Sequence, residues 1–288
     1  MVAEPFTVAR TDRVALHGER AGRGTGPVVV LLHANVADRR AYRDVVRLLD
    51  GDGLDLIAYD RRGFGETPFD REDEGFTHLA DLVALLDDQG VDRAVLVGNS
   101  MGGALALDLA ATAPDRVASV LLLSGGVSGM TDEGEETPYE LDPATAQVFG
   151  ALERAEQDGD IGEQVRLELH LWLDGPAQPE GRVQGEAREL AAAMNRRVLD
   201  IGAPDSAGDS GLDTWHALGS VRVPVVAAWG ALDVPADLPW YERIAEGLGD
   251  AVPRVLPDSA HLPSLDAPEV VAELIRETVR RSDHPKAN

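Results

Sequence analysis

VLVGNSMGG, residues 95–103, begins as an apolar strand, breaks into small residues around one hydroxyl at Ser100, and runs on into ALALDLA at helical spacing. Within it, Gly98-Asn99-Ser100-Met101-Gly102 is a G-x-S-x-G pattern at a strand-to-helix turn. Such a turn lifts the serine oxygen above the sheet on a sharp bend, and a Cβ at either flanking glycine would collide with the neighbouring strand or helix. The helix that starts after Ser100 also points free backbone N–H groups, and its positive end, at any anion that forms there.

Outward from that turn, apolar runs without alternation are separated by amphipathic stretches. PVVVLLH (27–33), LDLIAYD (54–60), RAVLVG (93–98) and VASVLLLSG (117–125) read as strands. ADRRAYRDVVRLLD (37–50), THLADLVALLDDQG (77–90) and SMGGALALDLAATAP (100–114) read as the helices between them. Continuous apolar strands of this kind suit a parallel sheet covered on both faces. FTVARTDRVALHGER, near the start, reads instead as an antiparallel hairpin at the sheet edge. After Gly126 the rhythm breaks into the acidic VSGMTDEGEETPYELDP, three helical stretches and the loop APDSAGDSG, and it returns at Val223. The expected organisation is an α/β core of residues 1–126 and 216–288 with a helical insertion at 127–215. Open sheets bind ligands at the carboxyl ends of their strands, where this insertion sits, so it is expected to roof a site.

Composition narrows the function. The 26 basic residues face 51 acidic ones, a net charge of −25, and a surface of that sign repels nucleic acid and anionic lipid. No apolar run approaches the roughly 18 residues of a membrane span, and the N-terminus lacks a signal-peptide pattern, so a cytoplasmic protein is expected. Cysteine is absent, which removes thiolate nucleophiles and thiolate metal sites. The single lysine, Lys286, leaves arginine carrying nearly all positive charge, as codon bias or adaptation to salt would produce.

A serine hydroxyl needs a base. Of the seven histidines, His261 in LPDSAHLPSLDAPE lies between the last strand and last helix, at the same sheet edge as Ser100. His33 closes a strand and is expected to order the loop beside it. The imidazole in turn needs an acid to fix its tautomer. Asp233, just past the strand VPVVAAWG, is the choice and Asp237 the fallback. Asp60 in YDRRGFGET is expected to pin the turn after its strand rather than to bind a ligand.

The segments LLHANVADRR, YDRRGFGET, GNSMGG, GALDVP and AHLPSLDAPE, in this order and spacing, resemble the α/β-hydrolase superfamily over nearly the whole chain. The resemblance implies an eight-stranded, mostly parallel, doubly wound sheet with a helical cap after the sixth strand. It also implies catalytic Ser100, Asp233 and His261, with an oxyanion hole from the backbone N–H groups of Met101 and Asn35. Members usually carry His-Gly before that second donor, where this chain has His33-Ala34. Relatives that open epoxides use an aspartate where Ser100 stands, so acyl transfer is expected: hydrolysis of a carboxylic ester or lactone, with no cofactor and no metal. GNSMGG also resembles the elbow of hydrolases that cleave C–C bonds in ring-fission diketones, the alternative. Against it, the chain has HANVAD for a glycine-rich loop and Leu262 where that group carries tryptophan. That reading also needs a cap arginine, and Arg154, Arg166, Arg182, Arg188, Arg196 and Arg197 are all open. A ligand receptor on the same fold is a further alternative.

The substrate is expected to be small, uncharged and partly apolar. Trp172, Met194 and Leu262 are the candidate pocket residues, although helical spacing favours Leu169, Leu171, Trp172 and Met194 packing on one another within the insertion.

Overall fold

The computed structural model of the chain describes residues 2–24, 26–73, 75–131, 139–204 and 206–282. The strands are β1 (Glu4–Ala9), β2 (Ala15–Ala21), β3 (Val28–Leu32), β4 (Asp55–Tyr59), β5 (Ala94–Asn99), β6 (Val117–Leu123), β7 (Val225–Gly230) and β8 (Val252–Leu256). They form one sheet in the order β1-β2-β4-β3-β5-β6-β7-β8. The β1–β2 hairpin is antiparallel and β2 meets β4 antiparallel, while every pairing from β4 to β8 is parallel.

Helices α1 (Arg43–Leu48), α2 (His78–Asp88) and α3 (Met101–Thr112) follow β3, β4 and β5. Three more, α4 (Pro143–Asp158), α5 (Ile161–Leu169) and α6 (Glu186–Ile201), lie between β6 and β7. Beyond β7 come α7 (Leu238–Gly247), the short α8 (Pro263–Asp266) and α9 (Pro268–Ser282). No helix among the described residues is long and apolar enough to cross a membrane.

The unbroken apolar strands have a direct cause. Val30, Leu32, Leu96, Val120 and Leu122 enter one core with α2, α3 and α7. Their alternates Val29, Leu31, Val95, Val97, Leu121 and Leu123 enter a second core with α1 and α9. Each strand buries both faces, so period-two alternation disappears.

Two stretches depart from the sequence-based helices. Residues 37–50 form a 3-10 turn at Arg39–Tyr42 before α1, because the Asp38 side chain accepts from the Arg40 N–H and tightens the first turn. The helix expected through LHLWLD widens to a π-helical turn over His170–Asp174. Part of the acidic loop, residues 132–138, and the tail from 283 lie outside the described residues.

The two ends of the expected insertion meet. The Trp215 N–H donates to the Ser128 carbonyl at 3.0 Å. Both ends are tied to α3 through buried Asp108, which accepts from the hydroxyls of Ser128 (2.8 Å), Ser210 (2.7 Å) and Thr214 (2.6 Å).

Candidate active site

Ser100 sits between β5 and α3 at φ 54°, ψ −120°, a sparsely populated conformation for a non-glycine residue. It is one of two positive-φ non-glycine residues among those described, the other being Ser124. Neighbouring strands hold the bend: Ser100 N–H donates to the Leu123 carbonyl, and Gly126 N–H to the Ser100 carbonyl, both at 3.0 Å. A Cβ on Gly98 would lie 2.2 Å from the Gly102 carbonyl oxygen, and one on Gly102 2.2 Å from that of Leu32. These glycines therefore allow α3 to start hard against the ends of β3 and β5, with Met101 at its first position.

His261 and Asp233 come together as the sequence suggests. His261 Nδ1 lies 2.8 Å from Asp233 Oδ2. An ionised carboxylate only accepts, so Nδ1 carries the proton and Nε2 keeps its lone pair. Asp233 Oδ1 accepts from the Val234 N–H at 2.8 Å, and Oδ2 from the Tyr241 hydroxyl at 2.9 Å. Burial would push the Asp233 carboxyl up, but the adjacent imidazole and these donors hold it below its ordinary value. Burial likewise opposes charge on His261, and the Asp233 carboxylate outweighs it, raising the imidazole above 6.5. Asp237, the fallback, does not bond His261. Its Oδ1 accepts from Tyr139 OH at 2.8 Å, and burial together with Asp233 pushes it up to about 6.

The Ser100 turn and the His261 backbone are linked through Asn99, the last residue of β5. Asn99 Nδ2 donates to the Leu123 carbonyl at 2.7 Å and to the His261 carbonyl at 2.9 Å. The histidine loop is thus tethered one residue from Ser100. From the inserted segment, Trp172 lies over the imidazole with ring centroids 4.8 Å apart.

The loop after β3 is equally fixed. His33 is fully buried, and its Nε2 accepts from the Arg61 N–H at 3.1 Å. Burial and Arg61 hold this imidazole well below 6.5, so it is neutral and structural. Ala34, in place of the usual glycine, is not among the positive-φ residues, so its methyl causes no backbone strain. Asp60 accepts from the backbone N–H groups of Arg39 and Glu66, both at 2.9 Å, and pins the turn as expected.

Trp172, Met194 and Leu262 line one small pocket with Val36, Ala37 and Leu169. Leu171 instead packs with Leu152, Ala155 and Leu167 inside the insertion. Most of the insertion's arginines are committed: Arg166 pairs with Glu163, Arg182 with Asp266, Arg188 with Asp174 and Arg196 with Asp200. Arg197 donates to the Gly65 carbonyl, and Arg154 is exposed on α4. Sequence reasoning missed Tyr241 and the tethering role of Asn99. Nothing in the sequence marks the tyrosine, and Asn99 stood only as a variable position of its motif.

A family model described as the alpha/beta hydrolase fold matches residues 27–268. Epoxide hydrolase B of Mycobacterium tuberculosis is 33% identical over 191 residues, 61% of this chain but only 53% of that protein, about half its length. The 2-hydroxy-6-oxo-6-phenylhexa-2,4-dienoate hydrolase of Comamonas testosteroni is 27% identical over 83% of this chain and 82% of its own. Among solved structures, Est816, described as an N-acyl homoserine lactone degrading enzyme, is 26% identical with a TM-score of 0.67, covering 93% of this chain and 98% of that one.

Proposed function

Because the chain belongs to the α/β-hydrolase fold family, we propose that it cleaves a carboxylic ester or lactone through a Ser100 acyl-enzyme. His261 Nε2 takes the Ser100 proton as the oxygen attacks the carbonyl, then returns it to the leaving alcohol. Asp233 fixes the tautomer and stabilises the imidazolium. The N–H groups of Met101 and Asn35 receive the oxyanion, where loss of one donor typically costs about 100-fold or more in rate. The same histidine then activates the water that releases the acid. Residues 127–215 serve as the cap over this site, and Trp172, Met194 and Leu262 form an apolar wall of it.

The observation that supports this most is the buried Asp233–His261 pair, its backbone held by the residue next to a strained serine. Esters are favoured over epoxides because the nucleophile is a hydroxyl, which forms an acyl-enzyme at a carbonyl. Est816 acts on a lactone within the same fold, which agrees with this reading. The reading is tested with a fluorophosphonate probe: the wild type labels, and Ser100→Ala does not while keeping its thermal transition. Persistent labelling of Ser100→Ala removes Ser100 from the role. A panel of p-nitrophenyl esters of graded chain length, lactones and a ring-fission diketone then separates ester from C–C cleavage. Many turnovers on an ester exclude a mere receptor.

A further inference from the structure

Arg20, Arg61 and Arg62 are the buried arginines among the described residues. Two of them are matched by acids: Arg20 by Asp55 at 2.8 Å and Arg62 by Asp81 at 2.6 Å. Arg61, 3% exposed, has no acidic partner among the described residues. Its Nη2 donates to the His33 carbonyl (3.2 Å) and to Asn35 Oδ1 (2.8 Å), and its Nε is buried without a partner. The guanidinium carbon lies 4.5 Å from the Phe64 ring centroid, so one face is apolar. A chain with 51 acidic residues that leaves this one cation uncompensated at depth bears a large desolvation cost.

Arg61 also lines a cavity with Asn35, Phe64, His78, Met101 and Leu105. Two of these, Asn35 and Met101, are the residues assigned to the oxyanion hole. Of the two acids that reach the wall, Asp209 is exposed, accepts from the Gly211 N–H at 3.0 Å and makes no ion pair with Arg61 among the described residues. His78 is kept neutral by burial and by Arg61, and its Nδ1 is a second buried atom without a hydrogen bond. Asp108 reaches the same cavity, but three hydroxyls occupy its oxygens. Burial draws the Arg61 pKa down to about 10, so the group stays charged at neutral pH.

We propose that Arg61 is the counter-charge for a carboxylate carried on the acyl part of the substrate, so that the site selects esters or lactones whose acyl chain bears one carboxylate. The proposal rests on the acyl-transfer reading for the ligand's being a substrate, and it refines the expectation of an uncharged one. The net charge of −25 acts at long range and is screened over about 10 Å at 0.1 M salt, whereas Arg61 acts on contact. Polyanions are still repelled, while a single carboxylate finds a desolvated partner.

The test compares monomethyl glutarate with its neutral counterpart, methyl 4-carbamoylbutanoate. The wild type should favour the acid at least about tenfold in kcat/KM, the low end for a hydrogen bond to a charged group. Arg61→Met should collapse that ratio towards one, chiefly through KM, and Arg61→Lys should restore part of it. The ratio cancels any loss common to both esters, including a shift of Asn35. A wild-type ratio near one, or a ratio unchanged in Arg61→Met, overturns the proposal. Should Arg61→Met not fold, thermal shift of Ser100→Ala with glutarate against glutaramide decides alone. Stabilisation by the acid only is expected, and equal shifts overturn the assignment. If glutarate stabilises the protein but no ester turns over, the acyl-transfer reading fails and the anion site stands.

Discussion

At the scale of single residues, the two acids beside His261 have separable roles. Asp233 accepts from Nδ1, whereas Asp237 acts on the imidazole only through space. Asp233→Asn should lower kcat on the order of 10³–10⁴-fold by allowing the wrong tautomer. It should also move the acid limb of kcat/KM. His261 is raised above 6.5 in the face of its burial by the Asp233 carboxylate, and must be neutral to act as base. Removing that charge lets burial dominate, so the residual activity should persist to lower pH; a limb that stays put breaks the link. Asp237→Asn should keep kcat near the wild type and stabilise the fold. A carboxyl raised from 3.8 to about 6 contributes stability below pH 3.8 that is lost as pH rises through 6. The gain in Tm for Asp237→Asn should therefore be full above pH 6 and vanish below pH 3.8, and thermal melts at pH 8 and 3.5 check it. The pairing of Asp233 with His261 and the sharp bend at Ser100 were legible because these residue types stand at strand ends along one sheet edge. Tyr241 and Arg61 were not. A tyrosine inside an amphipathic helix looks like core, and an arginine between Asp60 and Arg62 looks like part of a charged turn until its missing partner is seen.

Among the elements, strands were read well and the insertion less so, for a definite reason. Burial of both faces writes itself into β3, β5, β6 and β7 as unbroken apolar runs. The direction of Trp172 depends instead on the π-helical turn at His170–Asp174. Trp172 packs on Phe149 and the insertion's own apolar clusters, as helical spacing suggests, and within that wider turn its ring also reaches His261, a contact the spacing does not reveal. The two ends of the segment between β6 and β7 carry no motif, and the hydroxyls that converge there on Asp108 come from residues far apart in sequence. Asp108→Ala strands three hydroxyls and frees both ends of the insertion from α3. With about 1–3 kcal/mol for a buried group left unsatisfied, here Thr214, and about 2–4 °C per kcal/mol in domains of roughly 150–250 residues, Tm should fall by roughly 2–12 °C. Asp108→Asn, which keeps an accepting oxygen, should fall less. Hydrogen exchange should quicken at 206–215 before it does in β5. Unchanged exchange there would mean that the Ser128–Trp215 backbone bond suffices on its own.

For the molecule as a whole, the surplus of acid sets the response to salt. The basic side chains are largely spoken for: Arg13, Arg116, Arg166, Arg254 and Arg276 on the surface each pair with a carboxylate. The remaining net charge of −25 is then spread over a surface where acids face mostly other acids and solvent. Such self-repulsion opposes the compact state. Simple screening shortens its reach from about 30 Å at 0.01 M salt to about 10 Å at 0.1 M and about 3 Å at 1 M. Since neighbouring surface charges sit several ångströms apart, most of the relief arrives by a few tenths molar. Screening also weakens the exposed ion pairs, which contribute at most about 1 kcal/mol each. Stability should thus climb from 0.01 to about 0.3 M sodium chloride and then level. That is the outcome for a surface whose arginine and aspartate content follows codon usage. A Tm that keeps rising steeply into molar potassium chloride would instead show that the carboxylates hold a hydrated ion layer, as a salt-adapted surface does. Melting in sodium chloride and in potassium chloride across that range distinguishes the two, because screening depends on ionic strength alone while a bound ion layer distinguishes the cations.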